Sequence, residues 1–144
     1  MCLLVHLVTD SDLPELPWDK SRPAFHVQRL KRKERFLKNL IGANAYNLGS
    51  HQGCGCGFIS SELDDPDERA AASASRLALC EYLERVVPRE RQLVLLAAWS
   101  GDETKPAVRH SVTTRDLLVY PWDQTWEAPH LIEVTTAAGN VATL

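Results

Sequence analysis

The chain has 144 residues, of which 44% are hydrophobic and 24% charged, and its net charge is −3. That length and composition suit a single soluble globular domain with one sizeable core. The charge balance gives no general attraction to nucleic acid or to an anionic membrane, and no apolar run approaches the ~18 residues that span a bilayer.

Residues 2–9 form an apolar, partly β-branched run, the pattern of a central strand. The N-terminal MCLLVHLVTD has no basic leader region and no small-residue cleavage site, so it reads as strand and not as a signal peptide. Residues 10–23 hold three prolines with Asp10, Ser11, Asp12 and Asp19, which is loop chemistry. Residues 24–30 alternate as a short second strand. From Lys31 to Ile41 the period becomes helical: Leu30, Phe36, Leu37, Leu40 and Ile41 share one face, and Gly42 is placed to end it. Arg29, Lys31, Arg32, Lys33, Arg35 and Lys38 crowd the opposite face. Apart from Phe36, which fits the apolar face, no aromatics interleave this basic run, so it reads as a solvated face and a nucleic-acid partner is not expected.

Residues 43–49 read as a third strand that runs into Gly49-Ser50-His51-Gln52-Gly53-Cys54-Gly55-Cys56-Gly57-Phe58. The clearest helix start follows: Asp65 as N-cap, Pro66 at the first helical position and Glu68 three residues past the cap. Ala70, Ala74, Leu77, Cys80, Leu83 and Val87 supply an apolar stripe, and Pro88 marks the end. Residues 92–99 are a near-continuous apolar run, the mark of a strand covered on both faces. A strand over 107–112 comes next, then a short helix over 114–119 capped by Thr113 with Asp116, then a strand over 130–136 and a turn at Ala138-Gly139-Asn140. Strands alternating with helices predict an α/β (or α+β) single domain over residues 1–144, a layered mixed sheet with two main helices and one short helix.

An internal echo crosses this pattern. Residues 6–27 lie on residues 110–131 without a gap and share ten identities in 22, where chance gives about one or two. The pairs include His6/His110, Trp18/Trp122, Asp19/Asp123 and His26/His130. Two readings are open: two Pro-Trp-Asp loops around a common site, or two loops that each bury a tryptophan as a plug.

The densest chemistry lies at 49–58. His51, Cys54 and Cys56 place an imidazole and two thiols within six residues, three of the ligands that zinc or another transition metal takes. A fourth donor must come from elsewhere; His26 or His130 is the leading candidate, with Cys2 and Cys80 as further donors. His6, Cys2 and Cys80 otherwise read as core residues of apolar elements. The same three residues could instead do thiol chemistry, with His51 lowering the pKa of Cys54 or Cys56 to make a nucleophile. Gly49, Gly53, Gly55 and Gly57 could leave amides free as an anion-binding nest, with Gly53, Gly55 and Gly57 the leading candidates, though no helix follows at the spacing of a phosphate loop. The alternative is a non-catalytic binding or assembly domain in which the cysteines are small hydrophobes and the glycines let backbones approach.

GSHQGCGCGF, together with VTDSDLPELPWD and AFHV, resembles small bacterial proteins that carry a Gly-Ser-His-x-Gly-Cys-Gly-Cys-Gly-Phe signature. The resemblance covers about the first 60 residues and part of the end. It implies a family and no particular activity. Four cysteines are too few for a disulfide scaffold, so the expectation is a cytoplasmic protein with reduced thiols. No membrane partner is expected, and homo-oligomerisation is left open by the sequence.

Overall fold

The computed structural model describes residues 2–19, 21, 25–30, 44–59, 65–86, 93–123 and 126–135. Six strands form one mixed sheet: β1 Leu3–Thr9, β2 Phe25–Arg29, β3 Asn44–Ser50, β4 Leu93–Trp99, β5 Val108–Thr113 and β6 His130–Thr135. Their order across the sheet is β2-β3-β1-β4-β6-β5. All neighbours run antiparallel except β5 and β6, which are parallel. The apolar runs 2–9 and 92–99 become the two central strands, as continuous burial demands.

One α-helix, α1 Pro66–Val86, covers one face. Alternation along the strands sends Leu3, Val5, Leu7, Tyr46, Leu48, Leu93, Leu95, Ile132 and Val134 toward it, where they share a core with Leu79, Tyr82 and Leu83. Val8, Ala45, Leu96 and Leu131 form a smaller cluster on the other face. Two 3-10 helices complete the described residues, Gly55–Phe58 and Arg115–Val119.

The mixed sheet agrees with the sequence, but the two main helices do not: α1 is the only α-helix among the described residues. The helix expected over 31–41 with its basic face, and the turn at 138–140, lie outside them. The short helix expected over 114–119 is 3-10. Its cap is the expected reciprocal one, with the Thr113 N–H donating to Asp116 Oδ2 at 2.9 Å and the Asp116 N–H to Thr113 Oγ1 at 3.3 Å. On α1 the Asp65 carboxylate accepts the Asp67 N–H at 2.9 Å, as an N-cap does.

The buried stripe of α1 is turned from the one its leucines and alanines suggest. Ala70, Ala74 and Leu77 are exposed, while Ala72, Ser75, Leu79, Cys80, Tyr82 and Leu83 are buried. The cause lies in two polar anchors. Tyr82 donates its hydroxyl proton to the Pro14 carbonyl at 2.7 Å, and Ser75 binds His51. Each hydrogen bond fixes a helix face that hydrophobicity alone does not mark.

The echoed segments share a topology and not an environment. β1 and β2 are both antiparallel to β3, hence parallel to each other, with β3 between them; β5 and β6 are parallel and adjacent. Trp122 is 1% exposed and packs on Phe58, whereas Trp18 is 43% exposed. The plug reading holds for Trp122 and fails for Trp18.

Candidate metal centre

The Cys-Gly segment is shaped around Ser50, the last residue of β3, which is fully buried. Its backbone N–H donates to the Cys54 carbonyl at 2.8 Å, and its carbonyl accepts the Gly53 N–H at 2.9 Å, closing a tight turn over His51-Gln52-Gly53. Its hydroxyl donates to the Cys54 carbonyl and accepts the N–H groups of Gln52 at 3.2 Å and Gly57 at 3.0 Å. One serine thus satisfies much of the backbone of a buried loop, which has no ladder of its own.

Two of the glycines are required by close approach. A β-carbon on Gly55 would lie 2.7 Å from the Leu3 carbonyl oxygen and from a Val5 methyl. A β-carbon on Gly57 would lie 2.2 Å from Ser50 Oγ and 2.6 Å from His51 Cε1. Without side chains there, the Cys54–Phe58 backbone lies directly on the start of β1. The Leu3 N–H then donates to Cys56 Sγ at 3.2 Å.

This contact brings a third thiol to the segment. Cys2 precedes β1, and its carbonyl accepts the Ser100 N–H at 2.8 Å, which fastens it to the end of β4. The sulfurs of Cys2, Cys54 and Cys56 all lie within 4.8 Å of one another, and this is the one group of three or more metal-ligating side chains among the described residues. A tetrahedral zinc ion with bonds of ~2.3 Å holds its sulfurs about 3.8 Å apart, so the cluster closes on an ion with a contraction of at most about 1 Å. Cys2 is exposed and Cys54 and Cys56 are half-buried, so an ion could reach them from solvent. The expectation that Cys2 is a core residue is therefore corrected: Leu3 is the first buried position of β1, and Cys2 stands outside. Cys80 is buried in α1, as expected, and burial pushes its thiol up to about 12.

The histidines stand elsewhere. His51 leaves the thiols and faces α1. Its backbone N–H donates to Ser75 Oγ at 3.0 Å, its Nδ1 lies 2.9 Å from the same oxygen, and its Nε2 lies 3.3 Å from Glu68 Oε2. Every group is satisfied when Ser75 donates to Nδ1 and Nε2–H donates to Glu68. Both ring nitrogens are then used, and His51 acts on the cluster through position, by holding the turn and packing against Gly57. His26 points to the sheet face away from α1, its ring seated over Gly49, where a β-carbon would lie 1.8 Å from Cε1. His130 pairs in β6 with Ala97, two strands or about 10 Å from β1. Its Nδ1 is 2.7 Å from the Tyr120 hydroxyl, and its ring stacks on Trp126 at 3.6 Å.

The geometry also bears on the other chemistries. Burial pushes the Cys54 thiol up to about 11, and the neighbouring Cys56 and Cys2 sulfurs add to the rise. A raised pKa and a histidine occupied by Ser75 and Glu68 both act against an activated thiolate. The amides of Gly53 and Gly57 donate to Ser50, so two of the four nest glycines already spend their donors inside the loop. Sequence reasoning missed Ser50 and Ser75 as makers of the site. Of the four further donors it named, Cys2 is the one that joins Cys54 and Cys56, carried to the loop by the antiparallel pairing of β1 with β3.

No protein-family model, no curated protein and no solved structure matches the chain. The site is thus read from its own geometry.

Proposed function

We propose that this chain binds a transition-metal ion through the thiolates of Cys2, Cys54 and Cys56. The observation that carries the reading is the convergence of three sulfurs from two separate segments within 4.8 Å, at a place that solvent reaches. Of the metal ligands suggested by the sequence, Cys54 and Cys56 keep their part. Cys2 takes the place of an imidazole, and His51, with Ser75 and Glu68, braces the loop. The thiol of Cys54 is protonated at neutral pH, so an ion must displace its proton, and affinity should rise with pH.

Protein purified without an affinity tag should retain about one equivalent of metal by elemental analysis, with protons released on reloading. Cys2→Ser should lower the affinity by a factor of ten or more, and the variant with all three thiols changed to serine should retain none. Unchanged metal content in that triple variant would sink the proposal. It would favour the alternative in which the segment only shapes a binding or assembly domain, for which the close contacts of Gly55 and Gly57 already supply a reason.

A further inference from the structure

We infer that the ion taken by this site is cuprous copper in a three-sulfur, trigonal shell; this rests on the metal-site reading above. The first argument is donor type. All three converging ligands are thiols, and soft thiolates select Cu(I) as well as zinc, while carboxylates and water select harder ions. The second is donor number. A closed zinc site takes four protein ligands, and no fourth Cys, His, Asp or Glu among the described residues joins the three sulfurs within their reach. The nearby candidates are engaged: His51 by Ser75 and Glu68, and Glu68 by His51 and by Gln52 Nε2 at 3.5 Å. The described residues thus offer the site three donors, which suits an ion content with three.

The third argument is charge. Three thiolates around a monovalent ion carry a net charge of −2, one more negative charge than around zinc, and a fully buried site would disfavour this strongly. Here Cys2 is an exposed residue, and the Leu3 N–H donates to Cys56 Sγ at 3.2 Å. Both features stabilise negative charge on sulfur. Loading is a ligand exchange without electron transfer: Cu(I) leaves its carrier ligand, forms three Cu–S bonds, and the thiol protons go to the buffer.

The test is anaerobic titration of the untagged metal-free protein with Cu(I) held by a chromophoric Cu(I) chelator, a parallel titration with Zn(II), and X-ray absorption of both products. The expected result is one Cu(I) per chain with three sulfur neighbours and no nitrogen or oxygen in the shell. In Cys2→Ser, at a position outside the core, the shell should fall to two sulfurs and the affinity should drop at least tenfold. Cys80→Ala should change neither. A native copper shell of two sulfurs, or one that contains nitrogen, overturns the trigonal assignment. Zinc held in preference to Cu(I), in a four-coordinate shell, overturns the copper assignment and leaves the metal site standing. Failure to retain either ion, or retention that is unaltered when Cys2, Cys54 and Cys56 are all changed to serine, overturns the metal-site reading itself.

Discussion

At the scale of single residues, the loop is governed by two serines whose identity gives no hint of it. Ser50 ties the turn together from inside, and Ser75 meets both the backbone and the ring of His51. Ser75 is fully buried, so its replacement by alanine strands a backbone N–H and Nδ1 of a mostly buried histidine. Such an orphaned group costs about 1–3 kcal/mol, and Ser75→Ala should lower the midpoint of urea unfolding accordingly. Ser75→Thr, which keeps the hydroxyl, should recover part of the loss. If Ser75→Ala unfolds at the native midpoint, the brace between His51 and α1 carries no weight. The residues of the cluster were only partly legible beforehand. Cys54 and Cys56 stand out by their spacing, and the glycines by their density. The use of His51 was not legible, because an imidazole near two thiols looks the same in sequence whether it faces them or a helix serine. Long-range packing decides between the two, and here a serine on α1 and a carboxylate in its first turn win.

At the scale of elements, strands and caps could be read far better than faces. Each described strand falls within two residues of its expected span, because period-2 alternation and continuous apolar runs report burial directly. The Thr113–Asp116 cap forms in full, and Asp65 caps α1, while Glu68, the other half of its expected capping box, contacts His51 and Gln52. The face of α1 was read correctly at Cys80 and Leu83 and misread at Ala70, Ala74 and Leu77, since its exposed leucine and its buried serine and tyrosine reverse the usual correlation between hydrophobicity and burial. The misreading yields a direct comparison. Leu77 is 47% exposed and Leu79 fully buried, though they lie two residues apart on one helix. Leu77→Ala should change stability by less than about 0.5 kcal/mol, the usual range for surface positions. Leu79→Ala should cost about 2–5 kcal/mol through lost burial and the cavity left behind. Comparable shifts of the two unfolding midpoints would mean that α1 sits on the sheet by the stripe its apolar residues suggest.

At the scale of the whole molecule, strand order is the part that local pattern could not supply. β3 intervenes between β1 and β2, and β6 pairs with β4 ahead of β5, arrangements fixed by contacts between distant segments. The second half of the echo shows what such contacts make. β5, β6, the 3-10 helix Arg115–Val119 and the Pro-Trp-Asp loop converge on one aromatic cluster, in which Tyr120, Trp122 and Trp126 pack together and His110 and His130 stack. Burial pushes the Tyr120 phenol up, so it stays protonated and donates to His130 Nδ1. Burial, with the His110 charge adding to it, lowers His130 from 6.5 to about 4. Unfolded, His130 takes up its proton as pH falls through the ordinary histidine range; folded, it resists until about 4. The unfolded chain therefore binds more protons between these values, and stability must fall as pH drops through that window and level off below it. A shift of this size sets a ceiling of about 3 kcal/mol, and partial solvent access reduces it. Carboxylates titrate in the lower part of the same window, so the comparison is with His130→Phe, which keeps a flat ring against Trp126 and cannot ionise. Urea midpoints followed from pH 7 to pH 4 should fall less steeply in that variant than in the native chain. The lost Tyr120 partner lowers the variant's curve as a whole and leaves its slope unaffected. Parallel curves would show that His130 takes its proton equally well in both states, and the aromatic cluster would then not be the acid-sensitive joint between the sheet edge and the core.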